Sequence, residues 1–182
     1  MFENDYTLNG KHATYLKYLA NKNSKDDVES SGSSAMIFER YIDVYMNSVV
    51  WGLLYGRVVK RDTSSEDRAR IYADAFANER ENCIFLYRMA MLLDKTTELS
   101  STERVDRAFR YDTQVDKAEE LKSNLDLFHG YVRGGIELLY EQFTDGCTTR
   151  DDYLNKSYEV LQTFKKEIEG LSFEVELEKL IK

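Results

Sequence analysis

Apolar residues recur at helical spacing through most of this 182-residue chain, and no proline interrupts them. A proline inside a helix removes a backbone hydrogen bond and clashes with the preceding turn, so its absence leaves long helices free to form. Apolar residues three and four positions apart share one helix face, and that face must be buried. The pattern predicts an all-α fold: an antiparallel bundle of four long helices with a short connecting helix and a flexible N-terminal arm.

The apolar periodicity also predicts where the helices lie. The predicted helices cover, in order, about 34–55, 64–94, 101–111, 114–144 and 148–170, with a short acidic helix over 172–182. The helix from 148 carries Leu154, Leu161 and Phe164 on the face that is expected to be buried.

Four helix starts carry a Ser or Thr followed three residues later by an acid, the pattern of a capping box. The four pairs are Ser64 with Asp67, Ser100 with Glu103, Thr113 with Asp116 and Thr148 with Asp151. Gly56, which follows the first long helix, is predicted to form a left-handed C-cap.

The first 33 residues differ in composition from the rest. Residues 21–34 are polar and rich in Ser, which is typical of a flexible linker. Residues 12–20 form a short amphipathic stretch that can dock on the body as an arm. The predicted domains are therefore an N-terminal arm and polar linker over 1–33 and a helical bundle domain over 34–182.

Targeting signals and disulfide patterns are not recognisable in the sequence. The first residues lack the basic and apolar regions of a secretory signal. The best apolar stretch, 125–143, contains four charged residues, which a bilayer span does not tolerate. Cys83 and Cys147 are far apart and form no metal-binding or redox motif. We expect a cytoplasmic protein that makes no membrane contact.

Catalytic and cofactor motifs are equally hard to find. Asp126 and His129 provide one acid-x-x-His pair, whereas a di-iron site in a helical bundle requires two. The sequence also lacks a nucleophile elbow, a phosphate-binding loop and a dinucleotide-binding fingerprint. We therefore predict no metal and no cofactor, and we assign no catalytic residue.

Gly130 and Gly134 lie four residues apart on the predicted helix over 114–144, beside Arg133. A glycine inside a helix costs about 1 kcal/mol relative to alanine, so the pair requires a physical reason. Close packing of a neighbouring element on bare backbone is one reason. A kink or groove that admits a ligand, or a break in the helix, are the alternatives.

An arginine row, Arg104, Arg107 and Arg110, follows one side of the short helix. Its guanidinium groups suit phosphates or nucleic acid, but three acidic residues within 101–112 can equally pair with them. Since the chain carries a net charge of −8, salt bridges within the molecule are favoured over nucleic-acid binding.

Glu79 is an acid on the otherwise apolar seam of the predicted helix over 64–94. A buried carboxylate must be paired, or its pKa is raised. The candidate partners are Arg40, Arg88 and Arg133. The alternative is a catalytic acid or a ligand contact.

Taken together, the sequence predicts a non-enzymatic α-helical interaction protein, an adaptor or small subunit of a larger assembly that binds a protein partner or a second copy of itself. The first alternative is a protein associated with nucleic acid or a phosphate ligand through the arginine row. The second is an enzyme with a site near Glu79 and Arg133.

Overall fold

A computed structural model of the chain describes residues 1–20, 37–147 and 149–170. Within these residues the chain forms seven α-helices and one two-stranded sheet, which confirms the predicted mainly helical fold. The elements are β1 (Tyr6–Asn9), α1 (Lys11–Leu19), α2 (Tyr41–Leu54), β2 (Arg68–Ile71), α3 (Ala73–Asn78), α4 (Arg80–Leu93), α5 (Ser101–Phe109), α6 (Ala118–Thr144) and α7 (Arg150–Gly170). The predicted linker over 21–34 and the predicted helix over 172–182 lie outside the described residues.

The core is organised around α2 packed against α6. The two backbones approach so closely that a Cβ added to Gly135 would lie 1.8 Å from the Ser48 carbonyl oxygen. A Cβ added to Gly52 would lie 2.3 Å from the Tyr131 carbonyl oxygen. One glycine on each helix therefore permits the contact. Large buried side chains fill the space around this pair: Tyr45, Phe76, Tyr87, Phe128 and Ile136.

The prediction of one continuous helix over 64–94 is wrong. Residues Arg68–Ile71 alternate charged and apolar side chains, and only Ala69 and Ile71 are buried. This period of two is that of a strand, and β2 pairs antiparallel with β1. The remaining helix is interrupted at Glu79, between α3 and α4.

The predicted bundle of four long helices is not confirmed. α2 and α4 have 14 residues each, whereas α6 has 27 and α7 has 21. The structure thus has a long α6 surrounded by shorter elements and by α7.

The first 20 residues pack against the core, as expected for the amphipathic stretch 12–20, whereas the flexible arm and the missing strand β1 in the prediction are corrected for this part of the chain. Leu8, Leu16 and Leu19 are buried, and the Tyr15 ring stacks on Tyr140 of α6 with centroids 3.8 Å apart. Strand pairing with β2 and the apolar face of α1 together hold the segment in place. The predicted boundary at residue 33 lies among the residues that the structure does not describe and stays a prediction.

Local chemistry sets several helix ends. Ser100 and Glu103 form the predicted capping box: the Ser100 N–H donates to the Glu103 carboxylate at 2.8 Å. Gly56 has a φ of +62°, as predicted for a left-handed C-cap. The box before α7 uses Thr149 and Asp152, one residue later than predicted.

The apolar character of α6 does not make it a membrane helix. Arg133 and Glu137 lie on its buried face. Among the described helices, none combines the length and the apolarity that crossing a membrane would require.

Candidate functional site

Arg107 lies in a buried polar cluster between the end of α4, α5 and α6. Its Nη1 lies 3.1 Å from Asp94 Oδ2, and its Nε donates to Asn124 Oδ1 at 2.9 Å. The Tyr131 hydroxyl donates to Asp94 Oδ1 at 2.7 Å. Burial alone would raise the pKa of Asp94, but hydrogen bonds from Thr96, Tyr131 and Arg107 outweigh it and lower that pKa. The cluster joins three helices inside the protein.

The other two arginines of the predicted row are also engaged within the chain. Arg104 donates to the carbonyl oxygens of Leu92, Asp94 and Thr97, which lie at and beyond the end of α4. Arg110 pairs with Asp106, one turn earlier on α5, at 2.6 Å. The row therefore does not present three free guanidinium groups on one surface.

Glu79 and Arg133 have different partners. Glu79 Oε2 accepts from Asn82 at 2.9 Å and Oε1 accepts from Arg40 at 2.8 Å, and these contacts lower its pKa. Arg133 donates from Nε to the Val59 carbonyl at 2.7 Å and from Nη1 to the Tyr6 hydroxyl at 3.2 Å. Neither set of contacts brings the two side chains to a common reaction centre.

The loop after α2 covers Gly130 and Gly134. A Cβ added to Gly134 would lie 2.0 Å from the Arg57 carbonyl oxygen, and one added to Gly130 would lie 2.6 Å from Val58 Cγ1. The Val59 N–H donates to the Gly130 carbonyl at 3.0 Å. These glycines allow the loop to pack directly on the α6 backbone.

His129 is held by aromatic residues. Its Nε2 is hydrogen-bonded to the Tyr45 hydroxyl at 3.1 Å, and its ring stacks on Tyr6 with centroids 4.0 Å apart. Burial, with Arg133 and Arg61 nearby, lowers the pKa of His129 to about 3. Across the described part of the chain, no three His, Cys, Asp or Glu side chains are grouped so that they could hold a metal ion.

A second buried polar cluster was missed by sequence reasoning. His12 Nε2 lies 2.9 Å from Glu137 Oε1, and Lys11 Nζ lies 2.8 Å from the same oxygen. Burial lowers the pKa of His12, which keeps the imidazole neutral near pH 7. This cluster ties the start of α1 to α6, and the acid inside the apolar pattern of α6 is the sequence signal that could have indicated it.

An apolar groove of about 650 Å³ opens between the C-terminal ends of α2 and α4 and the side of α7. Its lining includes Val50, Leu53, Leu54, Met89, Leu93 and Phe164. Leu93 is 58% exposed although it is a large apolar residue. We refer to this feature below as the apolar groove.

The outer side of α7 carries an apolar stripe that continues the apolar groove. Leu154, Tyr158 and Leu161 are 61%, 66% and 63% exposed, with spacings of four and three residues. Phe164 follows Leu161 by one turn, lines the groove and stacks on Trp51. Leu154 and Leu161 were predicted to face the core, but Val160 is buried instead. We call Leu154, Tyr158 and Leu161 the α7 stripe.

Comparison with known proteins gives no assignment. No known protein family matches the chain, and no curated protein or solved structure matches it.

Proposed function

We propose that this chain is a non-enzymatic α-helical interaction protein, an adaptor or small subunit of a larger assembly. The observation that carries the proposal is the continuous apolar surface of the α7 stripe and the apolar groove. Contiguous apolar patches of this kind mark interaction sites on folded proteins. The stripe has the spacing of a helix that packs against another helix, while the buried Val160 side of α7 already faces the core.

The partner we propose is a second copy of the chain. Two-fold homodimers are the commonest closed assemblies, and a helix stripe can meet its own copy across a two-fold axis. Among the described residues that line the groove, the charged one is Lys95, which is positive. The groove therefore contributes no negative charge to the repulsion between two copies that each carry a net charge of −8. Contact between two copies through the apolar groove thus adds little charge repulsion of its own.

Sedimentation equilibrium of the purified chain at micromolar concentrations tests this proposal. We expect a dimer for the wild type and a monomer for Leu161→Glu, because the variant would bury an unpaired charge on each side of the interface. Val115→Glu is the matched control, since Val115 is 93% exposed and lies outside the α7 stripe. Raising the salt concentration should strengthen the dimer by screening the repulsion between two acidic copies.

A wild-type monomer at every concentration would overturn the second-copy partner. Equal dimerisation by Leu161→Glu would overturn the assigned surface. Circular dichroism of each variant checks that the fold is retained.

Association with nucleic acid or phosphate through the arginine row is the alternative. Arg107→Ala tests it, because loss of a phosphate contact weakens salt-sensitive binding, whereas loss of the Asp94 pair lowers the melting temperature. The buried position of Arg107 supports the second outcome.

A cytoplasmic location belongs to the same proposal. Cys83 and Cys147 are both free thiols, a state that a reducing compartment maintains. Labelling of the protein with a thiol reagent in intact and in lysed cells would show in which compartment these thiols are found.

A further inference from the structure

A cleft of about 530 Å³ lies on the outer face of the β1–β2 ribbon and is lined by three arginines. Arg68 and Arg70 come from β2, and Arg61 comes from the loop before it. Thr7 and Asn9 of β1 complete the polar lining, and Asp5 is the acid at its edge. We call this feature the arginine cleft.

Strand geometry places two of the arginines side by side. Thr7 is paired with Arg70 and Asn9 with Arg68 in the antiparallel register. Since alternate residues of a strand share a face, Arg68 and Arg70 lie on the exposed face about 7 Å apart. Ala69 between them faces the core.

The third arginine is held in place by anchors on both sides. On one side, Val59 donates to the Gly130 carbonyl and accepts from Arg133. On the other side, Asp62 accepts from the Lys11 N–H at 2.7 Å and from the Ser64 N–H. These backbone hydrogen bonds lower the pKa of Asp62 to about 2, so the anchor stays charged. Arg61 therefore projects from a fixed segment of the loop.

The charges in the cleft are poorly neutralised by the protein. The guanidinium groups of Arg61 and Arg68 make no ion pair or hydrogen bond with any residue that the structure describes. Arg70 lies 3.6 Å from Asp5, whose other oxygen accepts from the Ala73 N–H at the start of α3. By contrast, Arg57 and Arg110 contact carboxylates at 2.7 and 2.6 Å.

A neighbouring hollow extends the positive surface. It is lined by Lys60, Arg61 and Arg133, with Asp126 as its acid. Arg61 thus lies between two hollows that together contain five cationic residues and two acids. This local excess of positive charge occurs on a chain whose net charge is −8.

We propose that the arginine cleft binds a compact anion that carries two linked phosphate groups. A guanidinium fork donates two parallel hydrogen bonds to phosphate oxygens, and Thr7 and Asn9 can donate further bonds. A single phosphate ester carries a charge of about −1.5 to −2, so two linked phosphates match three guanidinium groups better than one does.

The surroundings of the cleft select against larger ligands. A long nucleic acid would extend beyond the cationic residues onto an acidic surface, which disfavours it. The aromatic ring at the cleft, that of Tyr6, is covered on one face by the His129 ring and contacts Tyr45 edge-on. The stacked His129 ring occupies one face of Tyr6, which disfavours stacking of a nucleobase there. The site therefore recognises the phosphate groups alone.

Isothermal titration calorimetry of the full chain with inorganic pyrophosphate tests the proposal. We expect saturable binding by the wild type and at least tenfold weaker binding by Arg61→Gln and by Arg68→Gln. Arg68→Lys keeps the charge but loses the fork, and we expect it to bind with intermediate affinity. Arg110→Gln is the matched control on α5 and should bind as the wild type does.

The melting temperatures of the cleft variants should equal that of the wild type, because Arg61 and Arg68 are exposed and unpaired in the described structure. Orthophosphate should bind more weakly than pyrophosphate, and ADP should bind about as tightly as pyrophosphate.

Several results would overturn the proposal. Absence of pyrophosphate binding by a folded wild type at millimolar concentrations removes the site. Equal weakening by Arg110→Gln shows diffuse electrostatic attraction instead of a site. Tighter binding of single-stranded RNA than of pyrophosphate indicates a nucleic-acid surface, and much tighter binding of ADP indicates that the base is recognised.

Discussion

Acidification should destabilise this protein through His129, and the structure gives the size of the effect. In the folded chain the imidazole stacks on Tyr6 and is hydrogen-bonded to Tyr45. Burial, together with nearby Arg133 and Arg61, lowers its pKa from 6.5 to about 3. Between these two values the unfolded chain binds a proton that the folded chain does not bind. Stability is therefore lost as the pH falls below the unfolded pKa of His129.

The magnitude follows from proton linkage. Each pH unit over which one more proton is bound by the unfolded state costs about 1.4 kcal/mol. Between pH 7.5 and 4.5, two pH units lie below the unfolded pKa of His129, so His129 should lower the free energy of unfolding by about 3 kcal/mol. Because pH 4.5 lies above the pKa of His129 in the folded chain, the folded chain binds almost no proton there. The loss of stability therefore depends only on the pKa of His129 in the unfolded chain.

His129→Gln provides the comparison, because glutamine can still bond to the Tyr45 hydroxyl but does not titrate. Urea unfolding followed by circular dichroism at pH 7.5 and 4.5 gives the free energy of unfolding for both proteins. The wild type should lose about 3 kcal/mol more than the variant between the two pH values. The contributions of His12, Glu137 and other acids occur in both proteins and cancel. Equal losses in the two proteins would refute the reasoning, because His129 would then bind its proton equally in both states.

Two further predictions concern stability. Gly135→Ala should destabilise the fold by about 3 kcal/mol, because the new Cβ would lie 1.8 Å from a carbonyl oxygen of α2. Gly56→Ala should cost only about 1–2 kcal/mol, because its positive φ strains an alanine but its new Cβ would meet no atom within 4 Å. Equal losses of stability for Gly135→Ala and Gly56→Ala in thermal unfolding would contradict the close packing at Gly135. Arg107→Ala should cost about 3–5 kcal/mol because it removes the ion-pair partner of the buried Asp94 carboxylate. Arg110→Ala should cost at most about 1 kcal/mol, as expected for an exposed ion pair. Urea unfolding of both variants measures these losses. A loss for Arg107→Ala as small as that for Arg110→Ala would refute the structural role of Arg107.

Features that depend on neighbouring residues were predictable from the sequence. The Ser100–Glu103 capping box and the left-handed Gly56 each involve only a few residues of one helix end. The strand Arg68–Ile71 was not predicted, although its residues alternate charged and apolar. It has four residues, and its partner β1 lies about sixty residues away, so the pairing that stabilises it has no local signal.

On the functional surfaces, too, the local features were predictable and the contacts between distant residues were not. The residues of the arginine row were identified, but the burial of Arg107 depends on Asp94 and Asn124, which come from outside its own helix. On α7, periodicity placed Leu154 and Leu161 on the inner face, yet apolar residues occupy two flanks of this helix. Which flank is buried is decided by packing on α6 and by the stacking of Phe164 on Trp51 of α2, and only the packed structure shows that the stripe is exposed.

The loop after α2 connects the two surfaces for which binding is proposed. It begins at Tyr55 and Gly56, which line the apolar groove, and reaches Arg61 in the arginine cleft. Between them the loop lies on the α6 backbone, where a side chain at Gly134 would collide with the Arg57 carbonyl. The glycines of α6 thus serve both surfaces. Because they carry no side chain, the loop can pack closely on α6, and it thereby holds Arg61 beside the β1–β2 ribbon while Tyr55 and Gly56 form the edge of the apolar groove.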